Sequence, residues 1–157
     1  MKVKDVMTPN VKTCSIDSDL SEVAQAMWMR DCGVLPIVNA EGLVVGVVTD
    51  RDICVAAGCR NCPPASIPVT SVMTRNVHSC TPETEIRDAL QIMRENRVRR
   101  LPVIDAKEKL RGILSLNDVA LKVREIADPA ELSAEDVETT LEAICKHRPS
   151  TQQQAAA

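Results

Sequence analysis

"GVVTDRDI", residues 46–53, and "GILSLNDV", residues 112–119, share one pattern: a glycine, an apolar run, a hydroxyl side chain, two intervening residues and an aspartate. Gly46 and Gly112 lie 66 residues apart. Sliding residues 3–53 by that step, without a gap, also pairs "VMTPNVKTC" with "VMTRNVHSC", "AQAMWM" with "LQIMRE" and "LPIVNA" with "LPVIDA". One unit is written twice and fills about two thirds of the chain. Such a repeat sets the architecture before any element is assigned.

The hydroxyl-x-x-Asp step has two readings. The pair can close a helix N-terminus as a capping box. A hydroxyl and a carboxylate at a strand end and helix start can also hold a phosphate and a ribose. The two roles are compatible.

Within each copy the apolar period alternates. Val11–Cys14 and Val77–Cys80 read as brief strands, while Leu20, Val23, Ala24, Met27 and Trp28 recur at helical spacing, as do Ile86, Ala89, Leu90 and Met93. Residues 35–39 and 43–49 flank the turn "NAEG", and residues 101–105 and 109–115 flank "AKEK", which predicts two hairpins. A second helix starts at the hydroxyl. Each unit is therefore β-α-β-β-α, of α/β (α+β) class, with a three-stranded sheet covered on one face by helices. A unit of about 50 residues buries its apolar surface poorly alone, so the two copies are expected to pack together.

The expected organisation is unit 1 with its connector over 1–66 and unit 2 over 67–127. A helical appendage over 128–148 and a disordered tail over 149–157 follow. The connector "GCRNCPPASIP" is rich in turn-forming residues. In the appendage, Val137, Leu141 and Ile144 have helical spacing, with Ser133 and Asp136 as a cap pair. This helix either packs on the module or mediates a dimer, and packing is preferred. The tail has little to bury.

Composition narrows the function. The 157 residues are 45% hydrophobic and 26% charged, ordinary for a globular chain. A net charge of −3 argues against nucleic acid as the main partner. With no Phe or Tyr and only Trp28, a base-stacking platform is excluded. No apolar run approaches the roughly 18–20 residues of a membrane span, and the N-terminus lacks a secretory signal, so a cytoplasmic protein with free thiols is expected.

With "VMT" near its start, "LP-apolar-apolar-D/N" in the middle and "G-apolar-apolar-[ST]-x-x-D" before its last helix, the duplicated unit resembles the CBS (cystathionine-β-synthase) domain. The resemblance covers residues 1–127. It implies a Bateman module: two units related by pseudo-two-fold symmetry, their sheets packed together, with two clefts between them. Such clefts take adenosine-containing ligands (AMP, ADP, ATP or S-adenosylmethionine), no cofactor is required, and occupancy regulates a protein effector, as in energy sensing. Homodimers are common in the family.

An adenosine nucleotide asks for particular groups. A carboxylate can accept from both vicinal ribose hydroxyls, a role open to Asp52 and Asp118. Thr49 or Ser115 can supply a hydroxyl to phosphate, and Arg51, Arg97, Arg99 or Arg100 the charge. Without aromatic side chains the base must lie between aliphatic ones, for which Val11, Val34, Val77 and Val98 are the candidates, Val11 and Val77 matching across the repeat. The family's pseudo-symmetry builds the Asp118 cleft with residues 8–13 and 32–36, including Thr8, Thr13 and Pro36. It builds the Asp52 cleft with residues 74–79 and 98–102, including Thr74, Ser79 and Pro102. Residues 3–53 hold four basic and eight acidic side chains, and residues 69–119 nine and seven, so phosphates are expected to use unit 2 arginines. Asn117 replaces Arg51 and Leu116 replaces Asp50, so the Asp118 cleft is expected to rely on Arg99 or Arg100.

Two rival readings stand beside this one. The clefts can be empty and the module a structural dimerisation device. Alternatively Cys54, Cys59 and Cys62, spaced C-x4-C-x2-C as in plant-type ferredoxins, can form a metal or redox site. Against the second, Cys54 is expected on the helix after Asp52, facing the core, and no fourth ligand is evident nearby. Cys14 and Cys80 read as strand packing. No P-loop, dinucleotide turn or nucleophile elbow is present, so no enzymatic activity is expected.

Overall fold

The structure, a computed structural model, describes residues 1–126 and 131–146. The expected tail, residues 149–157, and part of the expected appendage lie outside them.

Each unit grows from a hairpin. In unit 1, β3 (Val34–Val38) pairs antiparallel with β4 (Val44–Thr49). Their turn is tied by Asn39 Oδ1, which accepts from Glu41 N–H and Leu43 N–H, and closed by Gly42 at φ +78°. In unit 2, β5 (Arg100–Ile104) pairs with β6 (Leu110–Ser115), and Asp105 Oδ1 plays the part of Asn39 toward Lys107 and Lys109. The hairpins carry α1 (Leu20–Arg30) and α2 (Asp50–Arg60) in unit 1, and α3 (Ile86–Asn96) and α4 (Leu116–Lys122) in unit 2. Asp19 caps α1 by accepting from Ser21 and Glu22 N–H. Asp31 and Arg97 end α1 and α3 in the left-handed conformation.

The remaining strands depart from the expectation. β2 is only Cys14–Ser15, parallel to β3, and Cys80 makes a single bridge to Val103. The reason is an exchange of leaders. β1 (Thr8–Pro9) leaves its own unit and pairs antiparallel with β6 of unit 2, so residues 10–13 cross between sheets and cannot join either ladder. The sheets are ordered β2-β3-β4 and β1-β6-β5. Ahead of β1, Val3 is fully buried in the unit 2 core with Ile86, Leu90 and Met93, and its N–H donates to Thr84 O. The trade is reciprocal. Ile67, Val69 and Met73 are buried in the unit 1 core with Leu20, Val23 and Ile37, and Thr74 exchanges backbone hydrogen bonds with Val47.

The crossing explains the repeated glycine. A Cβ on Gly112 would lie 2.5 Å from the Thr8 carbonyl oxygen, and one on Gly46 would lie 2.7 Å from Met73 Sδ. Only glycine lets the visiting leader approach so closely. Burying a Val, Ile or Met side chain contributes about 1.5–3 kcal/mol, so Val3 from one leader and Ile67, Val69 and Met73 from the other bind the two units into one body.

The C-terminal helix α5 (Ala134–Cys145) packs on α3 and α4, the preferred expectation. Its start is the anticipated Ser133–Asp136 capping box.

Candidate functional site

Both recurring hydroxyl-aspartate pairs are capping boxes. Ser115 N–H and Oγ–H donate to Asp118 Oδ2 (2.9 and 2.6 Å), and Asp118 N–H donates back to Ser115 Oγ (3.1 Å). Thr49 and Asp52 repeat the geometry at 2.9, 2.7 and 3.2 Å. In each pair one carboxylate oxygen closes the helix, and among the described residues Oδ1 accepts no hydrogen bond. The cap holds the side chain still and leaves an acceptor over, which is the geometry that capture of a sugar hydroxyl needs.

Asp118 lines a cleft of about 420 Å³, within the usual range for small-molecule sites. The leader exchange builds it. Thr8 and Val11 come from the crossing segment, Val34 from the start of β3, and Arg100, Ser115 and Asp118 from unit 2. Every one of these six was a candidate in sequence. Thr13 and Pro36 are not on the cleft: Thr13 turns toward α1, and Pro36 is buried two residues deeper in β3, opposite Val47. Asn117 is exposed on α4.

Arg99 and Arg100 part company. Arg100 opens β5 opposite Ser115 and lines the cleft. Arg99, one residue earlier, extends the other way, and its Nη2 donates to Cys145 Sγ of α5 at 3.8 Å. The cleft also holds Lys12, Arg30 and Asp31, which the sequence reading had not singled out. Asp31 and Arg30 could have been found from the helix end they share, since a left-handed C-cap turns the chain directly into β3. Lys12, Arg30 and Arg100 bring cations to the cleft, and Asp31 and Asp118 bring carboxylates.

Around Asp52 the crossing is kept, Thr74 pairing with Val47 as Thr8 does with Ile113, but Arg75, which stands where the first copy has Pro9, donates to Thr70 O at 3.2 Å. Val77 and Ser79 are half-buried, Val98 packs on the unit 2 core and Pro102 is buried in β5. Arg51 is exposed, its backbone N–H donating to Asp50 Oδ1. Arg97 is exposed at the end of α3.

The cysteines divide by burial. Cys14 and Cys80 are buried as strand packing, and burial pushes the Cys80 thiol up to about 12 and raises that of Cys14. Cys54 is exposed, contrary to the expectation that it faces the core: it follows Ile53, which takes the buried position on α2. Cys59 is exposed and Cys62 half-buried. Among the described residues no three His, Cys, Asp or Glu side chains are grouped to hold a metal ion. Among them, too, no helix is long and apolar enough to cross a membrane.

Comparison with known proteins agrees with this fold. The family model described as "CBS domain" matches residues 3–58 and 69–125. The CBS domain-containing protein YhcV of Bacillus subtilis is 35% identical over 119 residues, covering 76% of this chain and 83% of YhcV. The crystal structure of Hypoxic Response Protein I with two coordinated zinc ions superposes with a TM-score of 0.70 at 28% identity, over 77% of this chain and 98% of that one. The structure of CBSX2 in complex with AMP superposes with a TM-score of 0.71 at 24% identity, over 82% and 99%.

Proposed function

Since this chain belongs to the CBS domain family as a tandem pair, we propose that it is a regulatory module that takes an adenosine-containing ligand in the Asp118 cleft and signals its occupancy to a partner protein. The observation that carries this reading is the spare Asp118 Oδ1 held by the Ser115 cap in a cleft that also presents Arg100, Lys12 and Arg30. The carboxylate accepts from the ribose hydroxyls, Val11 and Val34 flank the base, and the three cations meet the phosphates. CBSX2 binds AMP in its own structure, a ligand of this chemistry. Competing AMP and ATP would make occupancy a readout of energy state.

The mechanism follows from where the cleft lies. Its walls come from the crossing segment, from β3 and from unit 2, so a bound ligand bridges both units. It favours one relative arrangement by the difference in its affinity for the two, and by no more than that. That the sequence carries no P-loop, dinucleotide turn or nucleophile elbow favours regulation over catalysis.

Thermal unfolding with AMP, ATP, S-adenosylmethionine and NAD tests the reading. A ligand at 100 times its dissociation constant adds about 2.7 kcal/mol of stability. Asp118→Asn retains an oxygen for the Ser115 cap but loses the charge, so it leaves the unliganded protein folded and removes the ligand shift. If none of the four ligands raises the unfolding temperature, the clefts are structural and the dimerisation reading replaces this one. Elemental analysis that finds bound zinc or iron would instead favour the cysteine-ligated alternative.

A further inference from the structure

Leu116 N–H donates to the Arg99 carbonyl at 2.9 Å, tying the first residue of α4 to the residue before β5. With the Arg100–Ser115 pair one step along the ladder, this bond closes a corner between strand and helix. Arg100 and Asp118, one from each arm of the corner, line the cleft. The Arg99 side chain goes the other way, to the last turn of α5, where its Nη2 donates to Cys145 Sγ at 3.8 Å. Consecutive residues of an extended segment point to opposite sides, so this division is built into the backbone. α4 meets α5 as well: Leu116 and Val119 are buried in the core cluster against which Val137 and Ile144 of α5 pack.

Unit 1 repeats the corner without the side arm. Asp50 N–H donates to the Gly33 carbonyl at 3.2 Å, and Gly33 is the counterpart of Arg99. Closing the corner therefore does not need the arginine side chain. What Arg99 adds in unit 2 is a contact to α5.

α5 is the helix that such a contact can bias. Of its 12 residues only Thr140 is buried, whereas α1 buries Leu20, Val23 and Met27, and α3 buries Ile86, Ala89, Leu90 and Met93. Two arginines of α3 add polar holds: Arg87 Nη2 lies 3.1 Å from Asp136 Oδ2, and Arg94 Nη1 donates to Thr140 Oγ1 at 3.1 Å. Partly exposed contacts of this kind contribute little each. A helix with so little buried apolar surface opens more readily than the core on which it rests.

We propose that α5 is the element through which the cleft is read: a ligand held by Asp118 and Arg100 fixes the corner, Arg99 passes this to Cys145, and docked α5 gains over undocked α5. The inference rests on the Asp118 cleft taking an adenosine ligand. The ligand shifts α5 only by the difference in its affinity for the two states. The coupling is reciprocal, so docked α5 raises ligand affinity by the same factor. A partner that takes α5 in its undocked state competes with the ligand, and this gives the module an output.

Hydrogen exchange of the full chain, with and without saturating AMP, tests the proposal. Residues 134–145 report on α5 and residues 8–11 on the cleft. AMP is expected to slow exchange in α5 by about fivefold or more, the ordinary scale of coupling between sites. Arg94→Ala leaves the corner and Arg99 in place, so it speeds exchange in α5 but keeps the factor due to AMP. Arg99→Ala removes an exposed side chain and keeps the carbonyl that holds Leu116. It brings the factor toward one while AMP still protects residues 8–11. Circular dichroism checks that both variants are folded. Protection of residues 8–11 with α5 unchanged, or the same factor in Arg99→Ala as in Arg94→Ala, overturns the proposal and leaves the cleft reading standing. AMP without effect on residues 8–11 removes the cleft reading and the proposal together.

Discussion

Replacing Gly112 with alanine tests the leader exchange from which the cleft is built. The new Cβ would sit 2.5 Å from Thr8 O and 3.2 Å from both Thr8 C and Met7 Sδ. Ordinary contact needs nearly 1 Å more, and two of the three nearest atoms are backbone, so no rotamer change relieves it. β1 has two residues and two paired positions, Thr8 with Ile113 and Pro9 with Gly112. It must therefore shift as a whole or detach. Overpacking of this kind costs about 1–3 kcal/mol, and 2 kcal/mol lowers the unfolding temperature of a chain this size by about 4–8 °C. Gly58→Ala is the control: Gly58 lies in α2 with nothing within 4 Å of its added Cβ, and the substitution should stabilise by about 0.5–1 kcal/mol. Urea unfolding followed by circular dichroism gives both values, and hydrogen exchange reports on residues 1–9. If Gly112→Ala is as stable as the parent and residues 1–9 stay equally protected, the leader does not cross β6 and the cleft loses a wall.

The leader is also fastened by charge. Glu83 lies 2.8 Å from Lys2 Nζ and 2.9 Å from Lys4 Nζ, and these two ammonium groups hold its carboxyl at about 2, below the ordinary 4.5. A depressed carboxyl contributes stability that is complete above pH 4.5 and is lost as pH falls toward 2. Glu83→Gln is therefore less stable than the parent at pH 7, and the gap narrows between pH 4.5 and pH 2 in denaturant titrations; a gap independent of pH contradicts the pairing. For the thiols, iodoacetamide at pH 8 should label exposed Cys54, Cys59 and Cys145 rapidly, while buried Cys14 and Cys80 react only after unfolding. Mass spectrometry of the native protein checks this, and early labelling of Cys80 would refute its burial.

The parts legible in sequence were those written in local patterns. Nearly continuous apolar runs and turn chemistry gave the hairpins β3–β4 and β5–β6, helical spacing gave α1 and α3, and the Thr49–Asp52, Ser115–Asp118 and Ser133–Asp136 boxes marked three helix starts within a residue. The leader exchange was illegible because β1 is too short to show a period and its partner lies about 100 residues away. Its only trace, the repeated glycine, carries no label saying what approaches it. The choice between Arg99 and Arg100 was open for a related reason. Successive strand residues point to opposite sides, but the phase depends on where β5 begins, and that is set by pairing with Ser115. Lys12 lay inside the expected residues 8–13 without a role of its own, and Arg30 and Asp31 fell outside the expected ranges because a helix end has no periodicity to read. They meet only in the folded cleft.

The most direct test is amide mapping of the bound ligand. In a spectrum of ¹⁵N-labelled protein titrated with AMP, the signals of Thr8, Val11, Val34, Arg100 and Ser115 should move together and saturate, and they should stay still in Asp118→Asn. Shifts absent altogether, clustered away from these five residues, or unchanged by Asp118→Asn would contradict an adenosine site at Asp118.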